Sequence, residues 1–123
     1  LDSVDYVKQA EQVILDLKKM GNGRIYLTTS KIRNLLRMIS DIYNEVIHEK
    51  SAELTTETQG GIQYLKMRFA YEAGRERSVR DFVNKANILK YIDQIGDDKE
   101  KFLLFCKYME ALVAYHKFYG GRD

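Results

Sequence analysis

Tyrosine and arginine alternate along one edge of a predicted helix in the middle of the chain. The spacing i, i+4, i+7 and i+11 places four residues on one exposed arc, and these are Tyr64, Arg68, Tyr71 and Arg75. Guanidinium groups pair with phosphate oxygens, and a tyrosine ring can stack on a base or hydrogen-bond to a nucleic acid backbone. The arc therefore indicates a polyanion surface, with Lys66 as a further cation.

A purely structural role explains the same residues without a ligand. The tyrosines would then cover core edges, while Arg68 and Arg75 would pair with Glu72 and Glu76. A second arc of this helix is apolar and predicts the contact with the core; it consists of Ile62, Leu65, Phe69 and Ala73. The spacing alone does not choose between the two roles.

Positive charge is concentrated in parts of the chain rather than spread over all of it. A net charge of +2 excludes a histone-like polycation, yet residues 64–80 hold five Lys and Arg against two Glu. A local basic surface on a balanced protein suggests a defined anionic partner. A second basic row is predicted one helix earlier, where Arg33 and Arg37 lie one turn apart, although Arg37 could instead pair with Asp41.

Composition restricts the class of protein. A length of 123 residues predicts one domain, 1–123, and a hydrophobic fraction of 45% with 31% charged residues is typical of a soluble protein. No apolar run approaches the ~20 residues of a membrane span, so no membrane partner is expected. The single cysteine, Cys106, cannot form an internal disulfide, which favours the cytoplasm.

Catalytic and metal-binding patterns are missing. Neither His48 nor His116 lies in a His-Glu-x-x-His motif, and the chain has no Cys-x-x-Cys, phosphate-binding loop or Gly-x-Ser-x-Gly elbow. We therefore expect no enzyme activity, no metal and no cofactor. Cys106, among apolar neighbours, is predicted to be a buried inert thiol, and His116 a hydrogen-bonded core histidine, with a ligand-facing His116 as the alternative.

Five helices are predicted, and they give an all-α fold, a single five-helix bundle. The predicted ranges are 4–20, 31–49, 62–74, 78–95 and 99–119. Ile25–Thr28 is predicted to be an extended connector, and 50–61 a flexible polar loop. The predicted N-caps are Ser30, Ser78 with Asp81 as a capping box, and Asp97 or Asp98.

The last helix is apolar on almost every side. A helix of that kind is surrounded by other helices or lies in a subunit interface. We therefore expect the protein to self-associate.

Several blocks resemble the small subunit of the type III-A CRISPR effector complex, the Csm complex. The longer blocks are 64–75 (YLKMRFAYEAGR), 80–83 (RDFV) and 105–121 (FCKYMEALVAYHKFYGG). Shorter pieces at 28–35 (TTSKIRNL) and 42–45 (IYNE) resemble its second helix. The resemblance covers nearly the whole chain from Tyr6, but the predicted loop 50–61 matches nothing.

This resemblance implies a helical protein without catalytic activity. Several copies would stack along the guide–target RNA duplex, contact mainly the backbone of the target strand, and partner other CRISPR effector subunits, one of which cleaves the RNA. The basic positions that match, and that the resemblance implies contact RNA, are Arg33, Arg37, Lys66, Arg68, Arg75 and Lys117. Two other classes stay open: a helical dimerisation or protein-interaction module without nucleic-acid binding, and an unrecognised carboxylate hydrolase.

Overall fold

The computed structural model describes residues 1–123 and consists of six helices without a β-strand. The helices are α1 (Tyr6–Met20), α2 (Thr29–Val46), α3 (Thr56–Arg75), α4 (Arg77–Lys85), α5 (Ile88–Asp93) and α6 (Lys99–Phe118). The predicted all-α class is confirmed, whereas the predicted count of five helices is wrong.

The extra helix arises because the predicted fourth helix breaks in its middle. Asn87 adopts a left-handed conformation with φ +55°, which ends α4 and redirects the chain into α5. The carbonyl of Ala86 accepts a hydrogen bond from the buried Tyr108 hydroxyl at 2.9 Å. A contact from 22 residues away stabilises the break, so local periodicity could not predict it.

Two helices begin earlier than predicted because threonines cap them. Lys31 N–H donates to Thr28 Oγ1 at 3.2 Å, so Thr28 rather than Ser30 is the N-cap of α2. Thr58 N–H donates to Thr55 Oγ1 at 3.1 Å, so α3 absorbs the second half of the predicted loop. Asp98 caps α6, as predicted, by accepting from Glu100 N–H at 2.9 Å and Lys101 N–H at 3.2 Å.

The turn between α3 and α4 is a single residue, Glu76. Because α4 begins at Arg77, the predicted Ser78 cap is wrong, and Ser78 lies inside the helix. The Arg80 guanidinium closes the turn by donating to the carbonyls of Ala73 at 3.1 Å and Gly74 at 3.4 Å. These are two of the carbonyls at the C-terminus of α3 that have no N–H partner within the helix.

The connector between α1 and α2 is extended, as predicted, and forms no strand. Its alternating side chains anchor it, because Ile25 and Leu27 are buried while Tyr26 is exposed. The imidazole Nε2 of the buried His116 lies 2.6 Å from the Leu27 carbonyl, which confirms the prediction of a hydrogen-bonded core histidine.

Helix α6 packs against α1, α2 and α5, and α3 packs against α2, α4 and α5. One cluster of 28 buried residues fills the space between them. The loop between α2 and α3 is held to the start of α6, since Leu54 N–H donates to the Asp97 carbonyl at 2.7 Å and Lys99 N–H donates to the Ala52 carbonyl at 3.2 Å. The outer faces of α2 and α3 remain exposed to solvent.

Candidate nucleic-acid interface

The outer face of α3 carries the predicted row of tyrosine and arginine, which we call the α3 row: Tyr64, Arg68, Tyr71 and Arg75. All four residues are exposed, Tyr64 and Tyr71 each to 59%. The predicted core arc of the same helix is buried, as expected. The two arcs are separated because the helical period sets them on different sides of α3.

The structural alternative for this row is only partly realised. Arg75 lies 3.5 Å from Glu72, but Glu76 pairs with Lys31 of α2 and leaves the row without that partner. Arg68 forms no ion pair. The Arg75 guanidinium lies 5.4 Å from the centroid of the Tyr71 ring, a cation–π contact that keeps both groups at the surface.

Lys66 does not belong to this surface. Lys66 and Arg68 are two residues apart, so the helical period places them on opposite sides of α3. The Lys66 Nζ lies 2.7 Å from the Asp93 carboxylate of α5. The pairing gives Lys66 a local partner and links α3 to α5. The structure therefore places Lys66 and Arg68 on different sides of α3, and a contact of Lys66 with RNA stays a prediction.

Arg33 and Arg37 lie together on the outer face of α2, as predicted, and both are exposed. Neither forms an ion pair, so the proposed contact between Arg37 and Asp41 is absent. They line a shallow pocket of about 680 Å³, here called the α2 pocket, together with Thr29, Ser30, Lys31, Asn34 and Asp123. Helices α2 and α3 run antiparallel, because Lys31 at the start of α2 pairs with Glu76 after α3, and the Thr58 hydroxyl at the start of α3 donates to Glu49 after α2 at 3.2 Å.

Asp123 is the only acidic residue in the α2 pocket. Its Oδ1 accepts from Ser30 N–H at 2.9 Å and from Ser30 Oγ–H at 2.8 Å. These hydrogen bonds lower the pKa of the Asp123 carboxyl, and the charge of Lys117 lowers it further. Lys117 is exposed in the last turn of α6.

Sequence reasoning missed a neighbouring groove that also contains Asp123. The groove is lined by cations and aromatic rings that include Arg24, Tyr26 and Arg122. The Arg24 guanidinium lies 5.0 Å from the centroid of the Tyr26 ring. A signal was present, because residues 17–40 hold six Lys and Arg and no Asp or Glu.

A sequence model of the family described as Csm2 type III-A matches residues 4–122. The chain belongs to the Csm2 family. The match includes both arginine rows, and it identifies the chain as the small subunit of the type III-A CRISPR effector complex, as the resemblance predicted.

Curated relatives agree with this Csm2 membership over almost the full length. The protein named CRISPR system Cms protein Csm2 from Streptococcus thermophilus is 45% identical over 123 residues, covering 100% of this chain and 98% of its own. Its namesake from Mycobacterium tuberculosis (strain CDC 1551 / Oshkosh) is 42% identical over 119 residues, covering 97% of this chain and 94% of its own. Its namesake from Enterococcus italicus is 46% identical over 99 residues, covering 79% and 71%.

The reactive side chains of this Csm2 chain do not assemble into a site. Cys106 is buried, and burial raises the pKa of its thiol to about 12. His48 is exposed beyond α2, while His116 is bonded to the Leu27 carbonyl. No group of three or more His, Cys, Asp and Glu side chains could hold a metal ion, and no helix is long and apolar enough to cross a membrane.

Proposed function

We propose that this Csm2 chain is a non-catalytic RNA-binding subunit of a type III-A CRISPR ribonucleoprotein. In this function several copies stack along the guide–target duplex and hold the backbone of the target strand, together with other effector subunits in the cytoplasm. The α3 row supports the proposal most strongly, because Arg68 stays exposed and unpaired beside two exposed tyrosines.

The geometry of the row fits a backbone-directed contact. Arg75 lies eleven positions after Tyr64, a rise of roughly 16 Å at 1.5 Å per residue, so the row extends along a line rather than meeting at one point. Arginine forks bind phosphate oxygens irrespective of the base, and tyrosine stacking tolerates every base. Binding is therefore expected to be indifferent to RNA sequence.

A single copy presents few phosphate contacts, so its own affinity for RNA is expected to be weak. Stacked copies on one strand convert later contacts into intramolecular events with a high effective concentration. Self-association and RNA binding thus support each other in this proposal. The Arg33 and Arg37 pair, with Lys117 nearby, would extend the contact beyond the α3 row.

Replacing two arginines of the row tests the proposal. Arg68→Ala combined with Arg75→Ala should weaken binding to a single-stranded RNA and make the log–log salt dependence shallower, by about 0.7 per lost phosphate contact. Thermal stability should change by no more than ~0.5 kcal/mol, because the side chains are exposed. Lys85→Ala with Lys90→Ala removes the same charge from exposed positions on α4 and α5 and is the matched control.

A salt titration and a thermal melt on both double variants decide whether these arginines contact RNA or stabilise the fold. Loss of stability with wild-type RNA affinity in the arginine variant would favour the structural role of these residues. Equal loss of affinity in the lysine variant would show a general charge effect. A tenfold preference of the wild type for one RNA sequence over scrambled controls would contradict backbone-directed binding.

A further inference from the structure

The chain places one of its own carboxylates in the α2 pocket. Asp123 lies 93 residues from Ser30 in sequence, and both Ser30 donors converge on its Oδ1. A backbone N–H and a hydroxyl that point at one anionic oxygen are the donors a phosphate meets at the start of a helix. The carboxylate therefore marks the position of an anion.

The pocket has more positive charge and more donors than Asp123 uses. The guanidiniums of Arg33 and Arg37 line it without any carboxylate within 4 Å. Thr29, another residue of the lining, has a buried hydroxyl oxygen without a hydrogen-bond partner. A tetrahedral phosphate has several oxygens, so it can occupy donors that one carboxylate oxygen leaves free.

Asp123 reaches the pocket on a short tether. Gly121 is buried, and its N–H donates to the His116 carbonyl at 2.7 Å. A Cβ atom at this position would lie 2.2 Å from the His116 ring, so the backbone passes close to the core at this point. Only Arg122 then separates the anchor from Asp123, which keeps the carboxylate near Ser30 at a high effective concentration.

We infer that Ser30 completes a phosphodiester site with Arg33 and Arg37, and that Asp123 occupies this site until an RNA phosphate displaces it. The inference rests on the proposed function, since RNA supplies the phosphate. Asp123 is solvent-exposed and is held only by its two hydrogen bonds from Ser30, so its displacement needs no change in the helices. The contact lowers the affinity of the free subunit both for inorganic phosphate and for RNA, because Asp123 must leave the site before either ligand can occupy it.

Removal of the competing carboxylate tests the inference. Asp123→Ala should raise affinity for a short single-stranded RNA about three- to fivefold at low salt, the range open to an exposed charged contact. Asp41→Ala is the matched control, because Asp41 is an exposed, unpaired carboxylate one turn from Arg37 but outside the pocket. An unchanged or lower affinity in Asp123→Ala, or an equal gain in Asp41→Ala, would overturn the inference.

A second measurement uses inorganic phosphate and does not depend on RNA. The Ser30 amide resonance of Asp123→Ala should shift as phosphate is titrated, with half-saturation three- to fivefold below that of the wild type. A Ser30 amide that stays unmoved in Asp123→Ala would refute the site, even if the protein binds RNA through the α3 row. If phosphate shifts this resonance while no variant binds RNA, the phosphate site stands and the proposed function fails.

Discussion

Burial decides what the reactive side chains of this chain can do. Cys106 and His116 could each belong to a nucleophilic site by residue type, but both lie on the buried face of α6. The apolar neighbours of Cys106 in the sequence predicted its burial, and the structure confirms it. The hydrogen-bond partner of His116 could not be predicted, because the Leu27 carbonyl comes from a connector 89 residues away.

Thiol labelling checks the state of Cys106. Burial, with a smaller effect of the Glu110 charge, raises its pKa from the ordinary 9.0 to about 12, so the thiol stays protonated at pH 8. We expect iodoacetamide to leave the native protein unmodified at pH 8 and to label it fully in guanidinium chloride. The unfolded thiol releases its proton first, so the free energy of unfolding should fall as pH rises above about 9.

A mass shift of the native protein at the rate of free cysteine would contradict this assignment. The absence of any fall in stability between pH 8 and pH 10 would contradict the elevated pKa. Both readouts use the same wild-type protein, with a Cys106→Ala variant as the control for other alkaline effects. The control should show no labelling and a flatter dependence on pH.

At the scale of the elements, hydrophobic periodicity predicted which faces are buried better than it predicted where helices end. The core arc of α3 and the exposure of the α3 row both follow from the 3.6-residue period. The start of α3 was missed because Gly60 and Gly61 are typical of loops, whereas the Thr55 cap and packing hold them in the helix. The same period sets Lys66 on the opposite side of α3 from Arg68, but its partner could not be predicted, because Asp93 lies on α5, whose position depends on the break at Asn87.

The break at Asn87 can be tested by two substitutions. The left-handed conformation costs an ordinary L-residue roughly 1 kcal/mol, whereas glycine adopts it freely and asparagine tolerates it. Asn87→Ala should therefore lower the free energy of unfolding by about 1 kcal/mol, and Asn87→Gly should stay within ~0.5 kcal/mol of the wild type. Urea denaturation of the three proteins measures both values.

If Asn87→Ala were as stable as the wild type, the conformation of Asn87 would not be what separates α4 from α5. The Tyr108 hydroxyl on the Ala86 carbonyl would then be the remaining cause. Tyr108→Phe keeps the ring and removes this hydrogen bond, so it separates the two contributions. A larger loss in Tyr108→Phe than in Asn87→Ala would assign the break to the long-range contact.

Across the whole molecule, charge and apolar surface are distributed unevenly. Cations gather on α2, the connector and the α3 row, while the mean composition is almost neutral. Helix α6 exposes less apolar surface than its sequence predicts, because α1, α2 and α5 cover most of it. Composition could predict that such surfaces exist, but only the packing of helices distant in sequence determines which side chains remain uncovered.

Phe118 is the large apolar side chain of α6 that remains in water, with 75% of its surface exposed. Its ring meets the Tyr119 ring edge-on at 4.9 Å, and Tyr119 stacks with Tyr115 at 6.1 Å, so an aromatic cluster forms at the end of the helix. A cluster of this kind can supply an anchor of a protein–protein contact, since exposed aromatic rings often carry much of the binding energy. We therefore expect self-association to depend on this end of α6.

Sedimentation velocity over a wide concentration range should show that the wild type associates. Phe118→Ser should lower the association constant by about tenfold or more and leave the melting temperature unchanged. Removal of an exposed ring exposes no core, so the fold should be unaffected. Met67→Ser, at a position with 55% exposure on the outer face of α3, is the matched control and should associate like the wild type. If Met67→Ser alone lost association, the interface would lie on α3 instead. A second copy and RNA would then compete for the α3 row. A wild type that stays monomeric at every concentration would contradict the expected self-association.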